Sequence, residues 1–372
     1  MSGTFFPFRP GDRFPEVALP GVDGMGHKLS WSVLGEPLVV IALGDLRLLT
    51  SGPMVSLIVA LAGVGASAAV IVGVNVAAAQ AALKGFEMPG TGGVPLVLCD
   101  PERRVLKALL SPDPVQGTPT IAQHDHRLIV LDANQRVVGA FPGGDVEPLR
   151  EPVLAAIEVA RADRPPESVL FGATAPVMML PRVFEPAFCQ SLIELWATGE
   201  RSDGGVSSRY GNVVSADRKR TEDHIVRDPV VVKEISDRLA YRVGPELMRV
   251  FNWQAEFAFD AHVILSYAAG YQHFFRAHRD NGTPQTADRT FAVSLNLNED
   301  YEGGELVFPE YGPTRYKPKA GMAAIFSCSL LHEALPVTEG RRYVLTTFFR
   351  DRNRQQQQAQ PQVQQRPPSV RR

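Results

Sequence analysis

The residues best suited to redox chemistry in this 372-residue chain are His278, Asp280 and His332. His278-Arg279-Asp280 is an H-x-D in a strand-like context, and side chains two apart on a strand share a face, so both can reach one point. A neutral imidazole and a carboxylate, joined by a second imidazole from elsewhere, bind one face of a transition metal and leave its other positions open; the ion this ligand set favours is Fe(II). His332, which follows the apolar run 322–326, is the candidate for that second imidazole. An isolated H-x-D is commonly a pair of surface residues, so its weight depends on its neighbours.

Those neighbours occur in a specific order. Leu297-Asn298 precedes Gly303-Gly304-Glu305-Leu306; Lys317-Pro318-Lys319-Ala320-Gly321 precedes the apolar run; His332 is followed by Pro336-Val337 and Gly340-Arg341-Arg342-Tyr343. Taken together, 267–349 resembles the prolyl 4-hydroxylase-like family of 2-oxoglutarate/Fe(II) dioxygenases, and the likeness extends more loosely upstream to about residue 176. The resemblance implies a double-stranded β-helix (jelly-roll) core, Fe(II), 2-oxoglutarate and O2, with ascorbate as an accessory. It makes His278, Asp280 and His332 the metal ligands and Arg342 the partner of the 2-oxoglutarate C5 carboxylate, a role suited to a guanidinium fork. Arg341 is the adjacent rival, and on a strand it faces the other way. Asn296 stands where the family often has a co-substrate-binding tyrosine, and its amide could still donate that hydrogen bond. Tyr267 is a further candidate co-substrate contact, beside the alternative of a core tyrosine. His273 reads as a surface histidine rather than a fourth ligand. With Asp280 occupying the position that halogenating relatives leave for halide, hydroxylation or desaturation is implied.

The elements around the motif must place it. From about 172 to 352 the chain begins with helices near 186–198 and 229–251, then turns strand-rich from 261 to 349 with Gly, Pro and Asn/Asp turns, which gives an α+β domain with a jelly-roll core. Residues 1–160 alternate strand-like and helix-like segments, an α/β pattern: runs at 38–43, 69–74 and 96–98, a hairpin at 127–131 and 137–140, and a closing helix at 151–162. Arg9-Pro10-Gly11-Asp12 and Gly117-Thr118-Pro119-Thr120 resemble the peroxiredoxin-type thioredoxin fold, which implies a cis Thr118–Pro119 bond. After the 38–43 strand, where that family carries its reactive cysteine, 44–53 contains none. Thiol peroxidase chemistry is thereby excluded, and the domain reads as redox-inactive, serving binding, docking or dimerisation. Residues 161–171 form the expected linker, and 353–372, rich in Gln, Pro and Arg, a disordered tail.

Composition narrows the classes further. A hydrophobic fraction of 45% and a formal net charge of −2 supply no basic face for nucleic acid. Cys99, Cys189 and Cys328 are far apart, with no disulfide framework or structural zinc pattern. The chain start lacks the order of a secretory signal, so a cytoplasmic protein is expected. Residues 51–83 carry no charged side chain, yet Gly63, Gly65, Ser67 and Asn75 interrupt the run. A buried helix at 53–64 and a core strand at 68–74 account for it better than a membrane span. The sequence therefore favours a dioxygenase acting on a small-molecule or peptidyl substrate, with 199–228 as substrate-side loops and a homodimer possible in assembly. The competing reading is a non-catalytic interaction protein built from a degenerate redoxin and a jelly roll; the intact ligand set and Arg342 speak against it.

Overall fold

All six residues of the strand Leu38–Leu43 are buried. Val39, Ile41 and Leu43 enter one apolar cluster while Leu38, Val40 and Ala42 enter another. Both faces of the sheet are therefore covered, which is why the run shows no polar alternation. In the computed structural model, which describes residues 8–32, 35–89, 95–110, 126–163, 174–208, 211–214, 217, 219–271 and 273–353, the chain divides into two compact units, Met1–Val169 and Leu170–Arg372.

The first unit holds one mixed sheet in the order Leu96–Cys99, Ser67–Val72, Leu38–Leu43, His126–Leu131, Val137–Pro142. The first three strands are parallel and the last two antiparallel. Helices Gly52–Gly63 and Arg150–Ala162 cover one face through Leu57, Leu61, Val153 and Ile157; Arg104–Leu110 covers the other through Leu106 and Leu109. Burying each such side chain contributes about 1.5–3 kcal/mol. The charge-free stretch becomes helix Gly52–Gly63, strand Ser67–Val72 and helix Val76–Ala82. The strand stops two residues before the expected 74 because Asn75 caps the next helix, its side chain accepting from the Ala78 N–H at 2.8 Å. Among the described residues no helix is long and apolar enough to cross a membrane. Cys99 is fully buried, and burial pushes its thiol pKa up, away from thiolate reactivity. The Thr118–Pro119 bond, most of the expected linker and the tail beyond Asn353 lie outside the described residues.

Among the described residues the second unit has two large antiparallel sheets and a separate two-stranded one, Gly205–Ser208 with Gly211–Val214. The larger follows the order Met178–Leu180, Ala323–Ser327, Arg289–Asn296, Val337–Asp351, Val263–Ala268, Glu222–Ile225, Ser202–Asp203; the smaller runs Lys219–Arg220, Phe274–His278, His332–Ala334, Leu306–Val307, Arg315–Tyr316. Period two sorts the larger sheet's side chains. Phe291, Val293 and Leu295 meet Leu192, Trp196, Ile235 and Leu239 of the helices, while Ala292, Leu265 and Tyr267 join Leu306 and Ala334 of the smaller sheet and the adjoining Phe308. The expected helix at 229–251 is two helices, Pro229–Arg242 and Gly244–Phe251. Gly244 weakens the continuation, and Pro245 lacks the N–H that would extend the first helix's ladder. At the start of that first helix, Asp228 accepts from the Val230 and Val231 N–H groups at 2.8 and 3.2 Å.

His262, beside Ser236 at 2.8 Å, is buried, and burial lowers its pKa to about 4 despite the opposing charge of Asp260. The unfolded chain binds this proton near the ordinary value of 6.5, the native state only near 4. The stabilisation is thus complete above pH 6.5 and lost as pH falls toward 4, by about 3 kcal/mol in all. Urea midpoints measured across that window should fall more steeply for the native protein than for His262→Gln.

Candidate metal centre

His278 is the last residue of strand Phe274–His278 and lies in register with His332, the first residue of His332–Ala334. Asp280 lies beyond the strand, in the following turn, rather than on a continuing strand face as the H-x-D spacing suggested. Its N–H donates to the Cys328 carbonyl at 3.0 Å, and this bond turns the carboxylate back toward the histidines. One ligand atom from each of His278, Asp280 and His332 lies within 4.8 Å of the others. Asp280 Oδ1 is 3.3 Å from His278 Nε2, and Oδ2 is 3.5 Å from His332 Nε2.

The tautomers follow from the outer partners. His278 Nδ1 meets the Arg276 carbonyl at 2.8 Å and His332 Nδ1 meets the Leu330 carbonyl at 3.0 Å. A carbonyl only accepts, so each Nδ1 carries the proton and each Nε2 turns a lone pair toward the carboxylate. Two lone pairs and an anion facing one point repel unless a cation lies between them. The donor set therefore fits a divalent transition metal, and the carbonyl bonds are the outer support such ligands need. Burial would raise the Asp280 pKa, but His332, His278 and Arg289 outweigh it and hold the carboxyl below its usual value. Burial, with the His278 charge, lowers that of His332 against the pull of Asp280. Both groups are thereby kept in their metal-binding forms at neutral pH.

Ring packing fixes the imidazoles. Phe275 stacks on His278 with centroids 3.6 Å apart, and Phe326 meets His332 edge-on at 4.6 Å. Phe275 and His278 are three apart and would face opposite ways on a regular strand. A register shift between them, with Phe275 opposite Ala334 and His278 opposite His332, turns both inward. Spacing alone gives no sign of this bulge.

Arg342 lies in the same cavity of about 1120 Å³ as the three ligands. It is 1% exposed, and among the described residues no carboxylate pairs with it. Its Nε and Nη2 donate to Asn296 Oδ1 at 3.1 and 2.9 Å, and the guanidinium also meets the Tyr301 hydroxyl. A buried cation held by a neutral amide calls for an anion. Arg341, its neighbour, takes the opposite face and binds Glu222 at 2.7 Å and Ser266 at 2.8 Å.

Asn296, expected as a co-substrate donor, lies against Arg342 in this structure. Its Nδ2 donates to the Tyr301 hydroxyl and the Pro318 carbonyl, both at 2.6 Å, so neither amide proton is left for a ligand. Its oxygen instead orients Arg342. Tyr301, which the sequence did not single out, supports both Asn296 and Arg342. Tyr267 lines the cavity, opposite Arg342 in register, with its ring 5.5 Å from the guanidinium carbon. Burial pushes its pKa up, and among the described residues its hydroxyl has no hydrogen-bond partner. His273 is buried rather than on the surface, its Nδ1 accepting from the Ala268 N–H at 3.1 Å, and it is not among the converging ligands. Gly303 and Gly304 have φ of +74° and +67°. A Cβ on Gly304 would come within 2.8 Å of Val337 and 3.1 Å of Arg342, so this glycine pair lets the turn lie against the arginine.

Residues 263–350 match the model of the 2OG-Fe(II) oxygenase superfamily. The chain is 27% identical over 178 residues to procollagen-lysine,2-oxoglutarate 5-dioxygenase 1 of Mus musculus, covering 45% of this chain and 23% of that protein. It is 25% identical over 171 residues to a PKHD-type hydroxylase of Shewanella frigidimarina, covering 44% of this chain and 71% of the relative. A solved prolyl-4-hydroxylase of Pseudomonas putida aligns with a TM-score of 0.38 and 18% identity over 48% of this chain and 94% of that one. The chain thus spans less than a quarter of the mouse relative. The segment 263–350, with its histidine–aspartate–histidine cluster and Arg342, is similar to the 2OG-Fe(II) oxygenase superfamily, and these similarities support 2-oxoglutarate-dependent dioxygenase as the enzyme class.

Proposed function

We propose that this protein hydroxylates an unactivated C–H bond of a prolyl residue, an amino acid or a small metabolite. In that reaction one O2 is divided between the hydroxyl group and the succinate formed, with CO2 released, as 2-oxoglutarate is decarboxylated. The observation that carries the reading is the convergence of His278, Asp280 and His332 in one cavity with the carboxylate-free Arg342. His278, Asp280 and His332 would hold Fe(II), which when bound would supply the activation of O2. The chain's own part is to hold the imidazoles in one tautomer, keep Asp280 ionised, bind the far carboxylate of 2-oxoglutarate through Arg342, and offer the Tyr267 hydroxyl as a second donor. Phe275, Phe326 and Phe308 pack against the imidazoles and limit water there.

The two-sheet core is read as a double-stranded β-helix with the cavity between its sheets. The first unit is read as a thioredoxin-like module, supported by its mixed sheet with a terminal hairpin, and as redox-inactive because its cysteine is buried. Cytoplasmic location, homodimer formation and docking through the first unit belong to the same proposal. Its test is succinate formation from 2-oxoglutarate by the whole chain, supplied with Fe(II) and a panel of proline peptides, amino acids and metabolites. Fe(II)-dependent turnover that chelation abolishes is expected; its absence across the panel, together with no binding of 2-oxoglutarate, would reject the proposal.

A further inference from the structure

The cavity wall contains an ion pair that neither metal binding nor 2-oxoglutarate binding uses. Lys219 Nζ lies 2.6 Å from Asp223 Oδ2, with the two side chains only 6% and 10% exposed. Thr221 Oγ1 donates to Asp223 Oδ1 at 2.6 Å, and the ammonium also approaches the Gly205 carbonyl at 3.5 Å. Both members of the pair line the cavity that contains the metal ligands.

Strand register explains their direction. Lys219 is opposite Phe275. Its Nζ is 5.3 Å from the centre of that ring, which is in turn 3.6 Å from the centre of the His278 ring. The ammonium is therefore no farther from the imidazole than those two distances added, a span that one small molecule fills. Asp223 is opposite Leu265, which shares a strand face with Tyr267. The segment around Gly204 lies directly on the pair, since a Cβ there would collide with Thr221 Oγ1 and the Lys219 side chain.

Stability does not call for such a pair. Taking each ion out of water costs several kcal/mol, and well-packed apolar residues of similar size commonly do as well. The pair does retain binding capacity toward the cavity. An ammonium has three donors and Lys219 meets two acceptors; an ionised carboxylate has more acceptor sites than the two Asp223 uses. Adjacent desolvated charges of opposite sign match a ligand that carries both signs on adjacent atoms. The α-amino acid headgroup is such a ligand, its carboxylate placed on Lys219 and its ammonium on Asp223. An internal peptide residue offers only neutral amides, which bring no charge to set against either member of the pair.

We propose that Lys219 and Asp223 form the headgroup subsite for a free, zwitterionic α-amino acid substrate; this rests on the dioxygenase reading above. The test uses the full chain with Fe(II), 2-oxoglutarate and O2, and measures succinate formed with free L-amino acids, their N-acetyl and carboxamide derivatives, and proline-containing peptides. At least one free amino acid should stimulate turnover, and blocking either end should remove the stimulation. Lys219→Met and Asp223→Asn should each raise the amino acid KM tenfold or more. The affinity for 2-oxoglutarate, titrated with Mn(II) as the metal, should stay unchanged, which also shows that the variants fold. Where a single variant fails to fold, the double variant Lys219→Met/Asp223→Leu removes both charges together and is read in the same way. Peptides or blocked derivatives acting as well as free amino acids, or an unchanged KM in a folded variant, would overturn the subsite. If the native protein binds 2-oxoglutarate but no free amino acid stimulates it, this inference alone fails. If it binds no 2-oxoglutarate, the dioxygenase reading fails and the subsite with it.

Discussion

His332→Ala is expected to abolish Fe(II)-dependent turnover and reduce metal affinity by at least about a hundredfold. Loss of an outer hydrogen-bond partner alone typically costs 10–100-fold in affinity or activity, and here a ligand itself is removed. The remaining pair, His278 and Asp280, would lie 3.3 Å apart with one fewer donor to share the cation. The fold should survive, because alanine keeps the backbone pairing of 332 with His278 and a smaller side chain fits between Phe326 and Phe308. Metal titration and circular dichroism on the same preparation separate the two effects. Native-like metal affinity in the folded variant would remove His332 from the ligand set.

Arg342→Ala should raise the KM for 2-oxoglutarate by about a hundredfold or more. Breaking a buried charge pair by removing one partner costs about 3–5 kcal/mol, and Arg342 is 1% exposed in the cavity that contains the three ligand candidates. Arg342→Lys should recover only part of the loss, since an ammonium lacks the planar fork and cannot keep both bonds to Asn296 Oδ1. Arg341→Ala, on the outer face against Glu222 and Ser266, should change KM far less. A larger defect in Arg341→Ala than in Arg342→Ala would reverse the assignment.

Much of the architecture was legible because burial leaves a periodic trace. The apolar run 38–43 has no polar alternation because two layers of helix cover its sheet, and the uncharged stretch 51–83 breaks at glycine and asparagine where helix gives way to strand. The division of 229–251 into two helices was also present in Gly244-Pro245, although helical periodicity on either side concealed it.

The site divides differently. Residue types and their order named the three ligand candidates and the Arg342 side of the pair, because ligand chemistry needs specific atoms and strand alternation separates neighbours. Spacing could not show that Asp280 leaves the strand, that a bulge brings Phe275 onto His278, or that Asn296 spends its amide protons on Tyr301 and Pro318. Nor could it show Lys219 and Asp223 turning into the same cavity. Each of these depends on a hydrogen bond or a register between segments distant along the chain. The sequence by itself determined which side chains could bind a metal and a carboxylate; only the tertiary structure decided which of them meet, because strand register and the competition for each buried donor are settled when the sheets pack.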